Sequence, residues 1–145
     1  MLKADYTSYT LKFTSPAGTS RGTMHTKTSW FIRIWDTAKP NTAGIGECGL
    51  LPSLSADNTD NYQETLQETC DRIEEFQHTF HDELRDYPSI RFGAETALTD
   101  LASGGKKILF PSAFTEGEAG IPINGLIWMD TYENMESQID KKLAD

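Results

Sequence analysis

No stretch of this chain comes near the ~20 consecutive apolar residues that a membrane-crossing helix needs, which removes membrane spanning from the readings. The N-terminus, MLKADYTSYT, has no apolar core and does not read as a secretory leader. Cysteine is nearly missing. Cys48 and Cys70 fall in different segments, too few for a disulfide framework, and fit buried thiols in a reducing cytoplasm, where the chain is expected to reside. Positive charge is scarce too: 13 basic residues face 22 acids, a net charge of −9. Nine of those acids lie between Asp60 and Asp86, with only Arg72 and Arg85 among them. Such a field repels phosphate, so neither nucleic acid nor an anionic membrane is expected as a partner. No internal repeat or low-complexity tract is visible. What is present is a 145-residue chain, 37% apolar and 24% charged, the balance of a globular protein with room for one domain or one domain and part of another.

The first segments alternate. In residues 4–14, Tyr9, Leu11 and Phe13 share one face while Ser8, Thr10 and Lys12 share the other, which predicts a half-buried strand. Residues 15–27, with Pro16, Gly18, Arg21 and Gly22, read as a Gly/Ser/Thr loop. A second strand, TSWFIRIWD over 28–36, sets Trp30, Ile32 and Ile34 opposite Phe31, Arg33 and Trp35. Lys39-Pro40-Asn41 supplies a turn before a third strand over 44–51, so the chain opens with a three-stranded antiparallel meander.

That third strand runs into GLLPSLSAD, where Leu50, Leu51 and Leu54 surround Pro52. Connecting segments lie in water and normally turn polar, so leucines there suggest a loop built to cover a ligand or a second domain. The plain alternative is a strand end tucked into its own core.

From residue 61 the period changes. Tyr62, Leu66, Cys70, Ile73, Phe76 and Phe80 recur at steps of three and four with acids opposite, which predicts an amphipathic helix over 61–80, capped by Asp57, Asn58 or Asp60. Tyr87-Pro88-Ser89 breaks it, and a second helix follows over 89–102. Its Gly93, Ala94 and Ala97 form a small-residue face suited to close packing, and Gly104-Gly105 ends it. Past a loop, IPINGLIWM (121–129) reads as an apolar strand wanting cover on both sides, and Met135, Ile139 and Leu143 mark a helix. Trp30, Trp35 and Trp128 are core candidates.

Residue spacing bears on other chemistries. His78, His81 and Asp82 would share one side of a helix, yet no third histidine or cysteine is close in sequence, so a helix-end polar cluster is the better reading than a metal site. Glu47 and Cys48 alternate on a strand and face opposite sides, so Cys48 reads as core packing rather than an activated thiol. Gly44, Gly46 and Gly49 lack the strand-to-helix context of a dinucleotide loop.

Taken in order, the meander ending in GIGECGLLPSLS, the helix RFGAETALTDLA and the strand INGLIWM resemble the N-terminal part of the enolase superfamily, in its muconate-cycloisomerase-like branch. The resemblance covers essentially the whole chain. It implies an α+β fold: an enolase N-terminal-like capping domain over residues 1–107, made of the meander followed by a helical pair, a linker over 108–120, and over 121–145 the first β-α unit of an incomplete (β/α) barrel. It also implies two substrate-covering loops, with Gly18, Thr19, Ser20, Arg21 and Gly22 in one and Leu51, Pro52, Ser53 and Leu54 in the other. Arg21 would offer its charge to a substrate carboxylate.

The chemistry implied is proton abstraction alpha to a carboxylate, with Mg2+ stabilising an ene-diolate and lysines acting as acid or base. GECGLLPSLS together with PINGLIWM points within the branch to dehydration of a succinyl-hydroxycyclohexadiene carboxylate in menaquinone biosynthesis. The family's K-x-K lysines and acidic metal ligands have no match here, because Lys106-Lys107 and Lys141-Lys142 are adjacent pairs. The expectation is therefore a fragment that recognises a small carboxylate, inactive alone, with no cofactor of its own, Mg2+ belonging to the full-length enzyme. Rivals are the cap of a dipeptide epimerase or cycloisomerase, and a freestanding binding module. The orphaned apolar strand is expected to promote a homodimer.

Overall fold

The computed structural model describes residues 1–19 and 21–144. Three strands form one sheet in the order β1 (Leu2–Thr19), β2 (Gly22–Asp36), β3 (Ala43–Cys48). Asp5 meets Arg33 and the Thr10 hydroxyl meets that of Thr28 at 3.0 Å, pairs whose numbers share one sum, as antiparallel strands require. β2 and β3 pair antiparallel with Ile32 opposite Gly46. The expected meander is present, but the loop expected over 15–27 is not: strand continues through it, leaving positions 20 and 21 between β1 and β2. Most residues of this hairpin are exposed, and a largely solvated ribbon needs no strict alternation, so its polar threonines gave no strand period. The same exposure overturns the half-buried face assigned to β1, since Tyr9 and Leu11 stand in solvent. Leu2, Ala4 and Tyr6, on the opposite parity, pack on the core instead.

The expected first helix divides into α1 (Tyr62–Asp71), α2 (Ile73–Phe76) and α3 (Phe80–Glu83), with α4 (Pro88–Ala102) and α5 (Tyr132–Ala144) following. None of Asp57, Asn58 or Asp60 caps α1. Asn61 holds that position without a side-chain bond, and Asp57 serves α4 instead. Every acid from Asp60 to Asp86 is exposed, while Leu66, Ile73, Phe76 and Phe80 are buried beneath them.

The chain divides into two compact units, Met1–Leu11 with Thr28–Pro111, and Lys12–Lys27 with Ser112–Asp145. The first unit holds the core, where Ile32 and Ile34 of β2 and Cys48 of β3 meet Leu66, Cys70, Ile73 and the α4 residues Ile90, Ala94 and Ala97. α4 sits backbone to backbone on β3. A side-chain carbon at Gly46 would lie 2.8 Å from Gly93 C and 2.9 Å from Ala97 N, so only glycine fits. Asp100, 1% exposed, fastens the far end of α4 by accepting from Ile45 N at 3.0 Å and Lys107 N at 2.6 Å. Gly104 and Gly105, both at positive φ, end the helix as expected.

In the second unit, residues 121–129 form no strand and join no ladder with the described strands, although the hairpin lies close enough for Gly18 to approach Met129. Trp128, expected in a core, is 54% exposed. Trp30 and Trp35 in the first unit are half-buried, Trp30 against Tyr62 at 5.0 Å between ring centres and Trp35 beneath the Arg33 guanidinium at 4.9 Å.

Candidate functional site

The tip of the β1–β2 hairpin carries four of the five residues expected in the first covering loop, and the fifth, Ser20, lies outside the described residues. The Thr19 hydroxyl ties this tip, donating to Gly22 O at 2.8 Å and accepting from Arg21 N at 3.2 Å. Gly22 adopts φ +127°, a conformation that side-chain-bearing residues rarely take. Gly18 is constrained differently, because a side-chain carbon there would come within 2.9 Å of Met129 O.

Met129 also lines a cleft of about 430 Å3 within the second unit. Phe13, Pro16 and Ala17 line it from the hairpin, and Trp128, Met129 and Gln138 from the C-terminal segment. Gln138 clasps the backbone of Trp128: its side-chain oxygen accepts from Trp128 N at 2.7 Å and its amide donates to Trp128 O at 3.4 Å. Hydrogen bonds from Asn134 and from the Thr131 amide hold the Asp130 carboxyl below the usual carboxylate range. The cleft thus offers aromatic and aliphatic walls with a few fixed polar groups, the makeup of a small-ligand site.

Leu51, Pro52, Ser53 and Leu54 form a turn in the first unit. Leu51 O accepts from Leu54 N at 3.1 Å and Ser55 N at 2.9 Å, and Leu51 N donates to the Ser55 hydroxyl at 2.9 Å. Ser53 takes φ +63° to close it. Leu50 is only 3% exposed and belongs to the core, as the plain reading has it, whereas Leu54 is exposed.

Asp57 follows, fully buried, with one oxygen accepting from Ser89 N at 2.8 Å and from the Ser89 hydroxyl at 2.6 Å. The Tyr62 phenol lies 2.7 Å from that hydroxyl. Since Ser89 gives its proton to Asp57, Tyr62 must donate, and burial pushes the phenol pKa upward and keeps it protonated. Sequence reasoning missed this network because its members lie up to 32 positions apart. Trp128, Met129 and Gln138 were missed as cleft residues for the same reason, a site assembled from segments far apart in sequence.

Cys48 is fully buried on β3, and burial first, then Cys70, Asp57 and Glu47, pushes its thiol up to about 12, the reverse of an activated nucleophile. Glu47 accepts from the Ser29 hydroxyl at 2.7 Å, a structural bond. His81 Nδ1 and Asp82 Oδ1 are 3.3 Å apart on the surface. Among the described residues no three His, Cys, Asp or Glu side chains converge to hold a metal ion, so these residues do not fit the Mg2+ that the family resemblance implies.

No protein-family model matches this chain. It is 34% identical to an o-succinylbenzoate synthase from Desulfotalea psychrophila in an alignment 175 positions long, gaps included, which covers 99% of this chain and 47% of that enzyme. The chain therefore spans about half the length of this curated relative. The crystal structure of MenC from Desulfotalea psychrophila superposes with a TM-score of 0.64 at 28% identity, over 99% of this chain and 46% of the other. An enolase family member from Agrobacterium tumefaciens with homology to dipeptide epimerases, solved with sodium and L-Ala-L-Glu, superposes at 0.65 over 99% of this chain and 44% of its own. At 18% identity that second likeness concerns the fold.

Proposed function

The chain belongs to the enolase superfamily, and on that premise we propose that it is the substrate-capping part of an o-succinylbenzoate synthase. The observation that carries this is 34% identity, in an alignment that covers 99% of the chain, to an enzyme of that name. On this reading residues 1–107 are the cap, 108–120 a linker and 121–145 the start of the barrel. The reaction is loss of water from a succinyl-hydroxycyclohexadiene carboxylate, begun by removing the proton alpha to the carboxylate, in menaquinone biosynthesis.

The role assigned to this chain is recognition. Residues 18–22 of the second unit and, separately, residues 51–54 of the first are each assigned to a substrate-covering loop, and within the second unit the apolar walls beside Phe13 and Trp128 suit the substrate ring. Covering the ring excludes water and strengthens whatever charge acts on the carboxylates, Arg21 contributing one positive charge. Because the described residues do not fit Mg2+, no step of the reaction is routed through this chain, and the metal and the acid–base lysines are assigned to the remainder of the enzyme.

The test is to assay the complete polypeptide encoded by the reading frame that contains this sequence, beside the 145-residue chain, for aromatisation of the cyclohexadiene acid by absorbance with Mg2+ present. The expected result is turnover by the complete polypeptide alone. Turnover by the 145-residue chain, or epimerisation of dipeptides without action on the cyclohexadiene acid, overturns the proposal.

A further inference from the structure

We infer that Asp57 is the positioning residue of the leucine loop: docked on the N-terminus of α4, its carboxylate holds residues 51–55 in one preformed shape. The inference rests on the proposed role of that loop in covering a ligand, and adds that the loop arrives already ordered.

α4 lacks a cap of its own. Tyr87, at the capping position, makes no side-chain bond to the helix, and Pro88 at the first position has no amide to offer. Ser89 N is therefore the first amide in need of an acceptor, and Asp57, 32 residues earlier, supplies it from a fully buried site where the helix dipole favours an anion. The proton order Tyr62 to Ser89 to Asp57 makes the same carboxylate oxygen the terminus of a three-residue chain. Burial of Asp57 fixes the downstream end of the loop, and burial of Leu50 fixes the upstream end. Between these anchors the turn closes on itself through Leu51 and Ser55, and Ser55 O and Asp57 O accept from Asn58 N and Thr59 N at 3.3 and 2.9 Å. Between the anchors Pro52, Ser53, Leu54 and Ala56 reach solvent, while Leu51 and Ser55, which close the turn, are half-buried. A segment pinned at both ends and bonded within presents its leucine without first having to order itself.

Amide hydrogen exchange by NMR on the whole 145-residue chain tests this. The Leu54 and Ser55 amides should be protected in the unaltered chain, and Asp57→Ala should cut their protection by roughly tenfold or more while Ile34, Ile45 and Ala97 keep theirs, because local opening and global unfolding are separable. Asp57→Asn should restore part of the protection, since its carbonyl oxygen can accept both Ser89 bonds while its NH2 takes the place of Oδ1, which is buried without a hydrogen-bond partner among the described residues. Ser89→Ala, which keeps the amide donor and removes the hydroxyl, should fall between. Leu54 and Ser55 amides exchanging at free-peptide rates in the unaltered chain, or loop and core losing protection equally in Ser89→Ala and Asp57→Ala, overturns the inference. If Asp57→Ala fails to fold, the same comparison of loop with core in Asp57→Asn and Ser89→Ala decides. Because the readout is not turnover, a failed enzyme assay and a failed loop assignment remain distinguishable.

Discussion

Replacing Gly46 by alanine tests the contact on which the first unit is built. The new methyl would run into the Gly93 carbonyl oxygen and lie 2.8 Å from Gly93 C and 2.9 Å from Ala97 N, against the ~3.5–4.0 Å of ordinary carbon contact, so β3 and α4 must separate by at least about 1 Å. Overpacking in a filled core costs about 1–3 kcal/mol, and the upper end applies because backbone atoms cannot rotate aside as a side chain can. Alanine stiffens the unfolded chain and returns about 0.4–1 kcal/mol, leaving a net loss of about 2 kcal/mol or somewhat more. For a unit of this size that corresponds to a fall in Tm of about 8–16 °C, read by circular dichroism or calorimetry. Gly120→Ala is the control, since a carbon there meets nothing within 4 Å, and its Tm should not move. A Gly46→Ala protein that melts with the unaltered chain would refute the claim that α4 rests on the β3 backbone.

Further expectations follow from the same contacts. Tyr62→Phe removes one buried donor and keeps the ring against Trp30, so the urea midpoint should drop by an amount equal to about 1 kcal/mol with an unchanged slope. Burial pushes both Cys48 and Cys70 up to about 12, above the unfolded thiol. Their stabilisation is complete below about pH 8.5 and is lost as pH rises toward 12, each thiol lowering stability by up to about 1.4 kcal/mol per pH unit in that window. Stability measured from about pH 7 to about pH 11 should bend downward, and less so in a Cys48→Ala/Cys70→Ala variant. Arg33→Ala breaks an exposed pair with Asp5 and should change stability by less than about 1 kcal/mol in a urea melt. In an active complete polypeptide, Arg21→Met should raise KM about tenfold or more at nearly constant kcat if the guanidinium meets a substrate carboxylate.

What was legible in the sequence follows from how local each signal is. α4 was readable because Pro88 starts it, Ile90, Gly93, Ala94 and Ala97 repeat along one face, and Gly104-Gly105 stops it, all within one short window. β2 was readable because Ile32 and Ile34 alternate with exposed Arg33. The long hairpin was not, since most of its residues are exposed and no apolar period marks Thr14, Thr19 or Thr23, the few covered positions, Phe13 and Ala17, meeting a segment more than a hundred residues away. The break between α1 and α2 was hidden because Arg72 interrupts the backbone while Ile73 and Phe76 continue the apolar face. Of the residues proposed for the site, the leucines were singled out by their type in a loop and the glycines by the family resemblance, whereas Asp57 and the Trp128–Gln138 clasp depend on partners that only the fold brings near.

The second unit has a different balance of forces. Among its described residues only Ala17 is buried, and α5 buries none, while Ile123 is 88% exposed, Leu126 61% and Leu143 81%. Apolar burial supplies most of the free energy that orders a chain, and a 13-residue helix without it is marginal in water, since isolated helices need about 12–15 residues even in favourable sequences. α5 amides should therefore exchange far faster than those of α4 in dilute solution. Raising the protein concentration separates two explanations of how this apolar surface persists. If a second copy covers it, as expected of an apolar segment lacking a partner, α5 protection rises with concentration and light scattering reports a doubled mass. Should α5 instead match α4 in protection at every concentration while the mass stays that of one chain, the exposed surface described for this unit is wrong.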